Sequence, residues 1–468
     1  MLLNYKYGAV GLCFLGMTGC MNLNPEYSQP TSPVATSFNN QAVGGSSSQP
    51  VADIQWRTIF LDTRLQKVIA MSLDNNRDLR MAMLNIDKAR AQYRIQKADL
   101  YPSVSASVSQ SASKAQSSSG QSQISRSSEF SVGFTSWELD LFGRIRSLNT
   151  ESLESYFATA ETQRSSRMSL VAEVASDWLT IAAYQQQLRI AESTLASQEK
   201  TLKLTYAKYK EGISSALDYE EIKTSVDSAK ADIASYKKAL AQAQNALNLI
   251  VGTAVPAEFL PSNDIDLQSI RLAPIAANLS SSMLQNHPDV LYVEHLLKGA
   301  NADIGAARAA FFPTISLTTT AGRSSSDLEK LFSAGTGTWS FIPTISVPIF
   351  QGGELKASLD SAKIQKNIYI AQYEKAIQTA FSDVADALAV RQNIEAQLDA
   401  QKDLVRSSER SYRLSTARYK EGLDSYLTAL TAQRTYYSAQ QELVTLVLEE
   451  ATNRVTLYKV LGGGADAQ

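Results

Sequence analysis

Tyr209-Lys210-Glu211-Gly212 and Tyr419-Lys420-Glu421-Gly422 are one tetrapeptide written twice, 210 positions apart. Working outward, Val251-Gly252 recurs as Leu461-Gly462 at the same offset, Asp78 and Pro102 recur as Asp289 and Pro313 at 211, and Phe142 recurs as Phe350 at 208. Five markers in order at a nearly constant offset identify an internal duplication, with insertions confined to a few residues. The join falls where Pro256, Pro261 and Pro274 cluster and periodicity lapses.

No proline lies between Pro102 and Pro256, and none follows Pro348. Within these spans apolar residues keep a spacing of three to four, as in Ile233, Tyr236, Leu240, Ala243, Leu247 and Ile250, and in Ile377, Phe381, Val384 and Leu388. That period predicts long helices with coiled-coil-like packing. Reading Ile145 to about Lys210 as one helix gives ~95–100 Å at 1.5 Å per residue, and Gly353 to about Lys420 gives a similar length. Each ends at the repeated glycine, where Gly212 or Gly422 can take the left-handed conformation and let the chain turn back.

Ahead of each long helix the period changes to two. Pro102-Ser103-Val104-Ser105-Ala106-Ser107-Val108-Ser109 alternates, as does Trp339-Ser340-Phe341-Ile342-Pro343-Thr344-Ile345-Ser346-Val347-Pro348-Ile349. One face is apolar and the other mostly Ser or Thr, the pattern of a barrel with lipid outside and water inside. Lys114 to Ser128 and Arg323 to Thr338 read as polar loops joining paired strands, and the prolines of the fourth strand predict a bulge or a rim position there. Tyr101, Trp137, Phe142, Phe312, Trp339 and Phe350 stand where an interfacial aromatic belt belongs. Four strands per chain are too few to close a membrane barrel, whereas three chains supply twelve. A soluble β-sandwich is the competing reading of the strands.

The 468 residues carry 44 Lys+Arg and 46 Asp+Glu, so no basic surplus draws the chain to nucleic acid. Both cysteines, Cys13 and Cys20, precede residue 21, which leaves the rest without disulfide or thiolate metal chemistry. Lys6, the apolar run from Gly8 to Leu15 and the approach Thr18-Gly19-Cys20 read as an export leader too short to span a membrane. Ending in Gly-Cys, the leader is similar to those of bacterial lipoproteins, which implies cleavage before Cys20 and acylation of it. Met21, rather than aspartate, follows the cysteine, which in that class implies the outer membrane.

Over nearly all its mature length the chain resembles the TolC/OprM-type outer-membrane factors, particularly the lipoprotein channels of resistance-nodulation-division (RND) efflux systems. The residues that carry the resemblance are Asn75-Asn76-Arg77-Asp78-Leu79-Arg80 with Ala89-Arg90-Ala91-Gln92-Tyr93, then Trp137-Glu138-Leu139-Asp140-Leu141-Phe142-Gly143-Arg144. Phe311-Phe312-Pro313-Thr314-Ile315-Ser316-Leu317, Pro348-Ile349-Phe350 and the two Tyr-Lys-Glu-Gly tips complete the set. The resemblance implies a mixed α+β membrane protein: a homotrimer whose 12-stranded β-barrel, four strands per chain, continues into a periplasmic barrel of long coiled-coil-like helices. It implies an exit channel for drugs or other small toxic compounds, working with a periplasmic adaptor and an inner-membrane RND-type pump. It places a periplasmic gate at Arg418, Tyr419, Leu427 and Arg434, and adaptor-contacting tips at Tyr209, Lys210, Gly212, Lys420 and Gly422. Thr431 stands where related channels carry aspartate, and Glu221, its equivalent in the first repeat, is the candidate substitute.

The expected organisation is a signal peptide (1–19), an acylated extended segment (20–55), repeat 1 (56–255), a linker (256–277), repeat 2 (278–464) and a tail (465–468). No enzyme activity, metal site or cofactor is expected beyond the N-acyl and S-diacylglycerol lipid on Cys20. His287 and His295 lack an acid constellation and read as structural. A type I secretion channel, a metal-ion efflux channel and a non-channel coiled-coil lipoprotein are the alternatives; paired alternating strands argue against the last.

Overall fold

A computed structural model describes residues 21–38, 55–116, 120, 122–263, 266–270, 272–273 and 280–463. Its principal elements are α1 (Thr63–Asn75), α2 (Arg77–Ala98), β1 (Ser105–Gln116), β2 (Ser122–Leu139), α3 (Arg144–Lys210), α4 (Ala216–Val251), α5 (Pro288–Ala309), β3 (Thr314–Ser325), β4 (Gly337–Ser346), α6 (Glu354–Lys420) and α7 (Tyr426–Val460). Helix, strand pair, long helix and returning helix thus occur twice in the same order. α3 and α6 are each 67 residues long. The leader and Cys20 lie outside the described residues. Among the described residues no helix is long and apolar enough to cross a membrane.

Two compact units are assembled, each from segments of both repeats. The first unit draws, among the described residues, on 21–31, 85–116, 120, 122–160 and 292–374 and contains one antiparallel sheet of order β1-β2-β3-β4. Register places Ala106, Val132, Ala321 and Trp339 side by side on one face, with Leu317 beside Pro343 and Ile315 beside Ile345 further along it. The opposite face carries Ser107 beside Ser131 and Thr320 beside Ser340, and both pairs bond hydroxyl to hydroxyl, at 3.0 and 2.6 Å. Period-two alternation carried through a common register therefore sorts most of the sheet into an apolar face and a hydroxyl face, with Ile342 opposite Thr318 on the hydroxyl side and Lys114 and Arg323 on the apolar side.

Three expectations for these strands need correction. The first connection is shorter than Lys114 to Ser128, because β1 reaches Gln116 and pairs there with Ser122. The second is shorter than Arg323 to Thr338, since Arg323 pairs with Gly337. These stretches read as loops because Ser, Gln and Gly supply no apolar alternation, yet main-chain ladder bonds need none. The irregularity also lies elsewhere: Pro343 sits in regular register opposite Leu317, and the bulge falls on β2 between Phe134 and Trp137. There Ser136 takes φ 55° and its N–H donates to Thr318 Oγ1 at 2.9 Å. The extra residue keeps Phe134 and Trp137 on the apolar face, with their rings 6.0 Å apart and edge-on. Within the single chain Pro343 lies on an edge strand, with β3 on one side only.

Residues 21–29 form an extended strap in the same unit. Met21 N–H donates to Leu141 O at 3.2 Å, Arg308 to Leu23 O at 3.2 Å and Asn301 Nδ2 to Pro25 O at 2.7 Å. Tyr27 OH donates to Glu294 at 3.3 Å, and Gln29 Nε2 to the buried Tyr373 hydroxyl at 2.8 Å. An extended segment makes no backbone ladder of its own, so apart from Asn24 N–H, which donates to Asn22 Oδ1 at 3.0 Å, its groups find partners elsewhere in the unit.

The second unit comprises, among the described residues, 32–38, 55–84, 161–263, 266–270, 272–273, 280–291 and 375–463. Its core packs Phe60, Leu65, Ile69, Trp178, Leu179, Leu247, Val384, Val455 and Tyr458. Residues from the proline-rich join belong to it: Trp178 Nε1 donates to Phe259 O at 2.9 Å and Gln185 Nε2 to Pro261 O at 3.1 Å. His287 is buried in this unit, while His295 in the first unit meets Glu154 at 2.6 Å.

Candidate gate at the helical tips

α3 and α6 end in the same way. Gly212 N–H bonds Tyr209 O at 3.0 Å and Ile213 N–H bonds Lys208 O at 2.8 Å; Gly422 bonds Tyr419 O at 3.1 Å and Leu423 bonds Arg418 O at 2.9 Å. This pair of crossed bonds is the Schellman motif, which requires the left-handed residue found at both places, with φ 71° and 74°. Open space surrounds both glycines, so backbone conformation rather than crowding selects them.

The returning helices then differ. At the first tip Ser215 caps α4 reciprocally: Asp218 N–H donates to Ser215 Oγ at 3.1 Å, and Ser215 N–H to Asp218 Oδ2 at 3.2 Å. At the second, Ser425 makes no side-chain cap bond to α7. Instead Arg418 reaches across the turn to Asp424, Nε to Oδ2 at 2.5 Å and Nη2 to Oδ1 at 3.0 Å. The guanidinium holds the Asp424 carboxyl below the usual carboxylate range, and the carboxylate raises Arg418 in turn.

Behind the second tip lies a small core of Ile222, Tyr419, Tyr426, Ala429 and Leu430, with Leu202 against it. Tyr419 is buried, its hydroxyl 3.0 Å from Thr205 Oγ1 on α3, its ring edge-on to Tyr426 at 5.3 Å and capped by Lys208 Nζ 5.1 Å from the centroid. Burial pushes the Tyr426 phenol up, and its hydroxyl is buried without a hydrogen-bond partner. Tyr209, the repeat equivalent of Tyr419, is 41% exposed and stacks on Tyr219 at 5.7 Å.

Of the residues singled out from sequence, Arg418 and Tyr419 therefore stand in defined contacts, while Leu427 is 53% exposed in the single chain and Arg434 is exposed. Glu221 is half-buried; Lys210, Gly212, Lys420 and Gly422 are exposed on the tips. Thr431 lines a cavity of about 440 Å³ between α6 and α7 with Ser411, Ser415, Leu427, Thr428 and Thr435. A groove walled by hydroxyls thus occupies the place where the resemblance implies a carboxylate. Thr205, Asp424 and Tyr426 were not singled out from sequence. The seven-residue spacing of Tyr412, Tyr419 and Tyr426 was the available signal.

The chain matches the family "Outer membrane efflux protein" over residues 68–253 and 279–463. It is 47% identical over 452 residues, 95% of this chain and 93% of the relative, to the probable efflux pump outer membrane protein TtgC of Pseudomonas putida. A membrane protein of Pseudomonas aeruginosa of known structure superposes with TM-score 0.90 at 36% identity, covering 96% of this chain and 99% of that one. The open-state MtrE outer membrane channel of Neisseria gonorrhoeae superposes with TM-score 0.86 at 38% identity, covering 95% and 98%. With two matched segments that span both repeats, a mixed, mostly helical fold and the paired tips in place, the chain belongs to the outer membrane efflux protein family.

Proposed function

We propose that three copies of this chain form an outer-membrane exit channel. In it, a twelve-stranded barrel opens to the exterior and the long helices carry the passage through the periplasm. The observation that carries this reading is the sheet itself: one face mostly apolar, the other mostly Ser and Thr, with β1 and β4 as its two edges. In hydrocarbon an unpaired edge leaves N–H and C=O groups without partners, so a spanning sheet has to close on itself. β4 of one copy would pair with β1 of the next. Exposed Trp339, Phe341 and Ile345 would face lipid, and the hydroxyl face would line water.

The chain works as passage rather than motor. An inner-membrane RND-type pump would supply energy and select drugs or other small toxic compounds, and a periplasmic adaptor would dock on the tips at Tyr209, Lys210, Gly212, Lys420 and Gly422. Adaptor docking would shift a closed–open balance set by Arg418, Tyr419, Leu427, Arg434 and Glu221. Acylated Cys20 would anchor each copy to the outer membrane, its chains contributing about 0.8 kcal/mol per buried CH₂. Mass measurement of the detergent-extracted protein, with conductance in planar bilayers, tests the proposal. A trimer mass and channels that open when the tips are altered are expected; a monomer that leaves the membrane without detergent overturns it.

A further inference from the structure

A second contact joins the same two long helices above the tip. Tyr412 lies seven residues before Tyr419 on α6, and its hydroxyl is 3.1 Å from Ser197 Oγ on α3, just as Tyr419 meets Thr205 at 3.0 Å. The repeat offset places Leu202 opposite Tyr412 and Ala216 opposite Tyr426, so of the three heptad-spaced tyrosines of the second hairpin only Tyr419 has a tyrosine counterpart, Tyr209, in the first. Tyr412 also stacks on Tyr436 of α7, centroids 6.1 Å apart and planes 20° apart. A cavity of about 330 Å³ adjoins this contact, lined by Ser197, Tyr412, Gln433, Tyr436, Tyr437 and Gln440. Tyr412 thus has room to swing off Ser197 without dismantling a packed core, whereas Tyr419 is held inside one.

We propose that Tyr412–Ser197 is a second, neutral latch between the two hairpins, acting in series with Tyr419–Thr205 to hold the gate shut. It rests on the gate reading above. When the α6–α7 hairpin moves away from α3 as one body, both contacts break together, so the closed state depends on each. Tyr412 and Ser197 are positioning residues: neither needs to touch what passes. Tyr426 acts in the opposite sense, because its partnerless buried hydroxyl disfavours the packed state and is relieved when the tip opens.

The test is spontaneous open probability of the trimer in planar bilayers, at low and high salt, with trimer melting temperature as a folding control. Tyr412→Phe and Ser197→Ala, which keep ring and backbone, are each expected to raise it by about two- to tenfold. The double variant should add nothing further, since both delete one bond. Because the bond is uncharged, these increases should be equal at low and high salt. Tyr426→Phe should lower open probability. If Tyr419→Phe and Thr205→Val leak while Tyr412→Phe and Ser197→Ala match the parent, the second latch is overturned and the tip gate stands. If none of the four alters a folded, conducting trimer, the gate reading falls and the latch with it.

Discussion

Arg418 closes onto Asp424 across the second helical tip, with both guanidinium bonds made to one carboxylate, Nε at 2.5 Å and Nη2 at 3.0 Å. Lys208 and Ser214 hold these positions at the first tip, where a serine–aspartate cap does the work instead. The two hairpins therefore turn through the same backbone motif but are fastened differently. The first is capped at the N-terminus of α4; the second has an ion pair across the turn in place of that cap, in front of the small core that holds Tyr419 and Tyr426.

Asp424→Asn should loosen the second tip in a salt-dependent way, seen as faster amide exchange at residues 423–428, with the difference from the parent shrinking at high salt. Acid should act similarly: the Asp424 carboxyl lies below its ordinary value of 3.8, so the clamp persists above that pH and is lost as pH falls through the lower value. Thr428→Asp supplies the missing third residue of a capping box with Ser425. It should stabilise the start of α7 by about 0.5–1 kcal/mol, read as slower exchange at residues 426–428.

The two faces of the sheet should respond oppositely to charge. Phe341→Arg places a guanidinium on the apolar face and should cost about 2–4 kcal/mol if that position lies near the bilayer midplane, reducing heat-resistant oligomer on semi-native gels. Thr320→Lys, on the hydroxyl face bonded to Ser340, should leave assembly intact and shift ion selectivity toward anions. Equal loss of oligomer from both would contradict the assignment of faces.

Gly305 is a notch for the strap. A Cβ there would lie 1.7 Å from Asn24 Oδ1 and 2.9 Å from Asn24 Cα, and Ser147 Oγ donates to that same Oδ1 at 2.6 Å. Gly305→Ala should displace the strap, costing about 1–3 kcal/mol, and raise amide exchange at residues 22–25. Adding Asn24→Gly removes the side-chain collision and should restore part of the protection.

His287 should make the second unit acid-sensitive. Burial pushes its imidazole below the ordinary 6.5, and Asp289 N–H donates to Nδ1 at 3.2 Å, which requires that nitrogen unprotonated. As pH falls below about 6.5 the unfolded chain takes up a proton that the folded chain refuses, so stability declines with acid. Thermal unfolding between pH 7.5 and 5 should show this slope, and His287→Gln should flatten it.

Much of the architecture is written in the order of residues. Proline-free spans with apolar residues every three or four positions specify α3 and α6, and the paired glycines mark where they stop. Alternation in Trp339 to Ser346 specifies β4 and its two faces. The strand ends near Gln116 and Ser122 carried no such signal, because polar residues pair through the main chain as readily as apolar ones. The β2 bulge was equally silent: Thr135 and Ser136 look like any strand residues until Thr318 is set against them.

At the tips the division is the same. The sequence by itself determined the duplication, the turn at each glycine and the presence of Arg418 and Tyr419 beside it, since period and backbone conformation are local properties. Only the tertiary structure decided that Tyr419 is buried while its twin Tyr209 is 41% exposed, that Arg418 is spent on Asp424, and that Thr205 and Ser197 receive the tyrosines of α6. The tyrosines of α6 and their hydroxyl partners lie more than 200 positions apart along the chain, and which side chain meets which is set by how two long helices lie against each other, a relation that no stretch of either helix encodes alone.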